Sequence, residues 1–125
     1  MTVSAKTPIR PHFSPIRSAE AFAFVSGQLP FGSDASIVSG GIVAQTKQCL
    51  HNIEAALRAE GLGLEDIVKT TVWLSRVDDF ASFNAAYAEA FRGRVAPARS
   101  TVRADLMVEG ALVEIEAVAM RRASL

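Results

Sequence analysis

Short apolar runs alternate along the chain with two stretches of helical spacing, and the order of these signals predicts its elements. Residues 10–17 contain Pro11 and Pro15. Proline fixes φ and removes a backbone donor, which predicts an extended lead-in or an edge strand at the surface. Residues 21–25 (AFAFV) read as a buried strand ending at Ser26-Gly27, where backbone can approach a neighbour closely. Turn formers dominate 32–41, so Ile37 and Val38 sit in a loop with at most a short strand. Ile42, Thr46, Cys49, Leu50, Ile53, Ala56 and Leu57 then form a stripe about 120° wide, predicting a helix over 41–60 with Gly61 as its stop. Residues 68–74 (VKTTVWL) are β-branched and alternate, with Val68, Thr70, Val72 and Leu74 on one face and Lys69, Thr71 and Trp73 on the other. A second helix, capped by Asp78 or Asp79, runs to about 91, with Phe80, Phe83, Tyr87 and Phe91 sharing a face and Asn84 beside them. The chain breaks over 94–97, Arg99 opens another strand, and Glu109-Gly110 turns into a last strand over 111–121.

Single helices between strands are too few to cover both faces of a sheet. The expectation is a two-layer α+β domain, a mixed sheet of about six strands with two main helices on one face. In the last strand the small apolar positions Ala111, Val113, Ile115, Ala117 and Ala119 should meet the helices. The other face carries Leu112, Glu114, Glu116, Val118 and Met120, and Trp73 joins it from its own strand. That mixture is poorly suited to open water, so something is expected to cover it. A chain of 125 residues buries one core without staples and reads as a single domain over 1–125, with 1–11 as an extended lead-in.

Charge narrows the possible functions. Half the residues are apolar, and 13 Lys+Arg balance 13 Asp+Glu. Neither disorder nor a general electrostatic grip on nucleic acid or anionic membrane follows from such a balance. The one cysteine, Cys49, rules out an internal disulfide framework and suits a reducing compartment. The first 17 residues hold no apolar signal core, and no apolar run nears the ~20 residues that span a bilayer, so a soluble cytoplasmic protein is expected. GxGxxG, GxxxxGK(S/T), HExxH and GxSxG are all missing. His12 and His51 stand apart from other ligands; His51 falls opposite the apolar stripe and reads as solvated, and Cys49 at its centre reads as a buried structural thiol.

Three features carry candidate chemistry. Pro97-Ala98-Arg99-Ser100 sets an arginine at the mouth of a strand, where its planar fork could clamp a carboxylate; an ordinary surface arginine fits the same words. Val113-Glu114-Ile115-Glu116 sets two carboxylates on the mixed sheet face, which alone also fits a solvated face. Ser26-Gly27-Gln28 offers backbone N–H groups to an anion and, alone, is merely a turn.

Taken in order, these segments resemble the RidA family, also called YjgF or L-PSP, of imine and enamine deaminases. The resemblance covers nearly the whole chain. It rests on Phe24-Val25-Ser26-Gly27-Gln28, Gln45-Thr46 with Asn52-Ile53, Val68-Lys69-Thr70-Thr71-Val72, Asn84-Ala85-Ala86-Tyr87, Pro97-Ala98-Arg99-Ser100-Thr101 and Val113-Glu114-Ile115-Glu116-Ala117. It implies the YjgF, or chorismate-mutase-like, fold and a homotrimer whose sheets form a barrel-like centre, with substrate clefts between subunits. It also implies a carboxylate-binding arginine at Arg99, a water-positioning glutamate at Glu114, and substrate contacts at Ser26, Gly27 and Thr101. Phe13 stands where the family commonly has tyrosine and Thr101 where cysteine is frequent, so a phenol proton and a thiol are lost while the clamp remains. Asn84 belongs to the same candidate site and is expected to brace a loop. The implied substrates are short 2-imino acids and enamines such as 2-aminoacrylate, with no metal or organic cofactor. Other readings are a non-catalytic small-carboxylate sensor, the ribonuclease or translation-inhibitor activity attached to the family, which the balanced charge disfavours, and a pathway-specific enamine deaminase acting on an aminomuconate-like substrate.

Overall fold

The computed structural model describes residues 12–122, so the lead-in expected over 1–11 lies outside the described residues. The chain runs β1 (Ile16–Ala19), β2 (Phe22–Gln28), α1 (Gly41–Arg58), β3 (Ile67–Leu74), α2 (Phe80–Ala90), β4 (Ala98–Arg103) and β5 (Val113–Met120). The strands form one mixed sheet in the order β1-β2-β5-β3-β4. β3 and β4 are parallel and are joined through α2; the other neighbours are antiparallel. Among the described residues the sheet has five strands where about six were expected, because the turn-rich segment contributes only a Phe31–Ile37 bridge. The prolines of the lead-in precede an edge strand, β1, which pairs only with β2 in the sheet.

The helical stripe of α1 packs as its spacing predicts: Thr46, Cys49, Leu50, Ile53 and Leu57 are buried. Gly61 ends it with a left-handed φ of 77°, its N–H reaching Arg58 O at 3.0 Å. From the sheet, Ala23, Val25, Val72, Leu74, Val113, Ile115, Ala117 and Ala119 meet the same core, and Phe83, Tyr87 and Phe91 close it from α2. Side chains such as Ile53, Leu57 and Phe83, almost wholly removed from water, each contribute roughly 1.5–3 kcal/mol.

Local bulges correct the simple alternation. β2 does not end at Ser26-Gly27; it bends there and runs on to Gln28, with its register against β5 shifting between Val25 and Gln28. A second shift between Ile67 and Lys69 turns Ile67 into the core and leaves Val68 exposed, reversing the face expected for Val68. Asp79 stands at the α2 N-cap but makes no capping bond. Arg76 holds its carboxylate by two bonds of 3.1 Å. No helix among the described residues is long and apolar enough to cross a membrane.

Candidate functional site

The candidate residues fall into two groups on opposite faces of the sheet. Arg99 lies across the ladder from Thr70, and Thr101 from Val72. Thr70 and Val72 are fully buried in the helix-side core, so Arg99 and Thr101 face that side too. Because β4 is an edge strand, Arg99 meets the flank of α2 and is only half-buried. Its guanidinium carbon stands 4.8 Å from the centroid of Tyr87, 5.4 Å from Phe83 and 5.9 Å from Phe80. Such approaches hold a cation against ring faces. Nη1 donates to Asn84 Oδ1 at 2.9 Å. Asn84, expected to brace a loop, thus meets the arginine side chain directly. Among the described residues no carboxylate pairs with Arg99, which leaves most of its fork for an incoming anion. Beside it opens a cavity of about 440 Å³ lined by Asn84, Tyr87, Phe91, Pro97 and Arg99. A separate cavity of about 360 Å³, lined by charged groups including Glu65, Asp66, Arg121 and Arg122, meets it at Ala96 and Pro97. Burial raises the Tyr87 phenol, against the opposing effects of Thr70 and Arg99, so the ring stays neutral at physiological pH.

Glu114 belongs to the other face. It pairs with Trp73 across the β3–β5 ladder, while its neighbours Val113 and Ile115 point into the core. Its carboxylate lies directly over the β2 bulge: a Cβ added to Gly27 would overlap Oε2 and stand 3.1 Å from Cδ. Glycine here leaves room for the carboxylate to lie where it does, and a larger residue would push the Glu114 side chain aside; no left-handed φ is involved. Burial, and then the charge of Glu116, raise the Glu114 carboxyl above its ordinary pKa. Ser26 donates its hydroxyl to Ser14 O at 2.6 Å and its N–H to Pro15 O at 2.9 Å, fastening the segment that carries Phe13. Phe13, Ser14, Arg17, Phe24, Ser26 and Glu116 line a cavity of about 310 Å³. A smaller one of about 200 Å³ brings Trp73, Asp105, Leu106 and Met107 to Glu114.

Within one chain, then, Arg99 meets Asn84 on the helix side of the sheet, with Thr101 on the same face of β4, while Glu114 meets Gly27 on the other face and Phe13 and Ser26 share a cavity with Glu116. Two roles escaped the sequence reading. Tyr87, Phe83 and Phe80 read as a core stripe and are also the cradle of Arg99; the available signal was Asn84 on their helix face. Gln45 carried part of the resemblance but no role of its own; its buried amide accepts from Leu112 N at 2.7 Å and donates to Gly110 O at 3.0 Å, fixing the entry into β5 just before Glu114. Among the described residues no group of three His, Cys, Asp or Glu could hold a metal ion.

The chain is similar to known proteins over most of its length. Residues 4–121 match the family described as Endoribonuclease L-PSP. A RutC family protein of Pyrococcus horikoshii is 41% identical over 121 residues, covering 96% of this chain and 94% of that protein. The 2-iminobutanoate/2-iminopropanoate deaminase of Escherichia coli K12 is 41% identical over 99 residues, covering 78% of this chain and 77% of that enzyme. The crystal structure of E. coli TdcF with bound serine superposes with a TM-score of 0.84 at 30% identity, covering 92% of this chain and 91% of that one. With its α+β fold and this breadth of similarity, the chain belongs to the endoribonuclease L-PSP family, the RidA or YjgF family.

Proposed function

We propose that this protein hydrolyses short 2-imino acids and their enamine tautomers, such as 2-aminoacrylate, to 2-oxo acids and ammonia, as a cytoplasmic homotrimer with its sites between copies. The observation that carries this reading is the division of the site across the sheet: an arginine with open donors on one face, and a carboxylate of raised pKa on the other. A carboxylate-bearing substrate needs both, so two copies must meet to enclose it. The similarity to a named imino acid deaminase supports the reaction class.

In this mechanism Arg99 pairs with the α-carboxylate through two N–H groups, and backbone N–H groups near Gly27 and Thr101 complete the hold. A protonated imine carbon is already electrophilic, so the protein's main task is orientation. Ionised Glu114 accepts a proton from water as the water oxygen bonds to the imine carbon. That proton is delivered to nitrogen; the C–N bond then breaks and ammonia leaves while the Glu114 carboxylate takes the remaining hydroxyl proton, so the oxygen remains as the new carbonyl. Phe13 walls the pocket and favours short apolar side chains.

The test supplies imino acid from an amino-acid oxidase and traps the survivors with semicarbazide. Wild type should lower the trapped yield, and Arg99→Ala should lose about 100-fold or more of that effect, as expected for a missing charged clamp. Undiminished turnover by Arg99→Ala overturns the mechanism. The serine-bound relative favours a second reading, small-carboxylate binding without turnover. Calorimetric binding of a 2-oxo acid with no ammonia release from any imino acid would select it.

A further inference from the structure

We propose that Thr70 is a positioning residue for Arg99, acting through the ring of Tyr87. Thr70 lies on β3 with no exposed surface, directly across the parallel ladder from Arg99. Its Oγ1 is 2.7 Å from Tyr87 Oη. A core position between apolar neighbours could be filled by valine of the same shape; a buried hydroxyl is tolerated only with a partner. Here each hydroxyl is the partner of the other, and the bond fixes where the far end of the Tyr87 ring can lie.

That ring is the nearest of the three around the guanidinium, at 4.8 Å. The ring also packs against Phe83 at 5.4 Å and Phe91 at 4.8 Å between centroids. Asn84 tethers a single nitrogen, Nη1. A fork held at one point can still swing about it, whereas a ring face beneath the guanidinium restricts the plane in which its remaining donors lie. Arginine is rich in rotamers, and a clamp that must freeze on binding loses affinity to that ordering. The Thr70–Tyr87 bond thus orders the arginine before substrate arrives.

The kinetic part of this inference rests on Arg99 being the carboxylate clamp, whereas the ordering of its side chain does not. Thr70→Val, Tyr87→Phe, the double variant and Thr70→Ser are compared in the full-length protein by three measurements. These are the rotation of the Arg99 guanidinium by nitrogen-15 NMR, KM and kcat for oxidase-generated 2-iminopropanoate, and thermal melting. Each apolar single variant strands one buried hydroxyl and should melt lower, while the double variant removes both and should recover. Arg99 should nevertheless rotate faster in all three, with KM raised about tenfold and kcat kept within about a factor of two, because the clamp holds ground state and transition state alike. Thr70→Ser should restore both properties. A KM that follows melting temperature and recovers in the double variant overturns the proposal, as does unchanged rotation of Arg99. If wild type turns over no imino acid while Arg99 still loosens in Thr70→Val, the deaminase reading fails and the positioning role stands.

Discussion

Glu114 shows how one residue trades stability for chemistry. Its raised pKa means that the folded chain holds this proton more tightly than the unfolded chain does. Above the folded pKa the carboxylate therefore costs stability, and stability is regained as pH falls through that value. Glu114→Gln removes the charge, so the variant should melt at or above wild type at neutral pH, with the gap closing on acidification. Turnover should run oppositely: it needs the ionised form, so the wild-type rate should fall as pH drops through a value above the ordinary glutamate range. Glu114→Gln should be slower by about 100-fold, in line with loss of a general base, and should lack that limb. A limb at the ordinary glutamate pKa, or a normal rate for the variant, removes Glu114 from the role. Cys49 is a contrasting buried group: desolvation first, and Glu114 second, push its thiol far above the usual range. It should resist iodoacetamide until the protein unfolds, which mass spectrometry of native and denatured samples would check.

At the scale of elements, legibility followed periodicity. The α1 stripe was readable because one helix face packs on one core. The faces of β5 were readable because the strand is regular from Val113 to Met120. Each bulge defeated the period-2 reading, since one extra residue exchanges faces: Val68 is outside and Ile67 inside for that reason. The role of Gln45 was illegible because its partners, Gly110 and Leu112, lie beyond two intervening strands, and no local pattern announces a side chain that bonds distant backbone. Gln45→Ala leaves the Leu112 N–H and Gly110 C=O without this amide and should cost about 2 kcal/mol by urea denaturation. It should also slow turnover by loosening the start of β5. Full stability in that variant would show that the amide is not what holds the β5 entry.

At the scale of the whole molecule, the uneasy sheet face anticipated from Trp73 and Glu114 is real: Phe22, Phe24, Val102 and Met120 are exposed large apolar groups on strands of that sheet. A neutral chain with such a face is suited to self-association, and the proposed trimer covers it. The sequence resemblance named Arg99 and Glu114 together, but no one-dimensional reading shows that a sheet separates them. That separation makes a prediction about mixtures. Arg99→Ala and Glu114→Gln should each be nearly inactive alone, for different reasons. If each cleft takes its arginine from one copy and its glutamate from the next, random co-assembly of equal amounts leaves about a quarter of clefts with both residues intact. Refolding the two variants together should therefore recover activity toward that fraction, while mixing them without subunit exchange should not. A co-refolded mixture that forms hybrid trimers and stays inactive would mean that both residues serve one cleft from the same chain, and the division of the site between copies would be wrong.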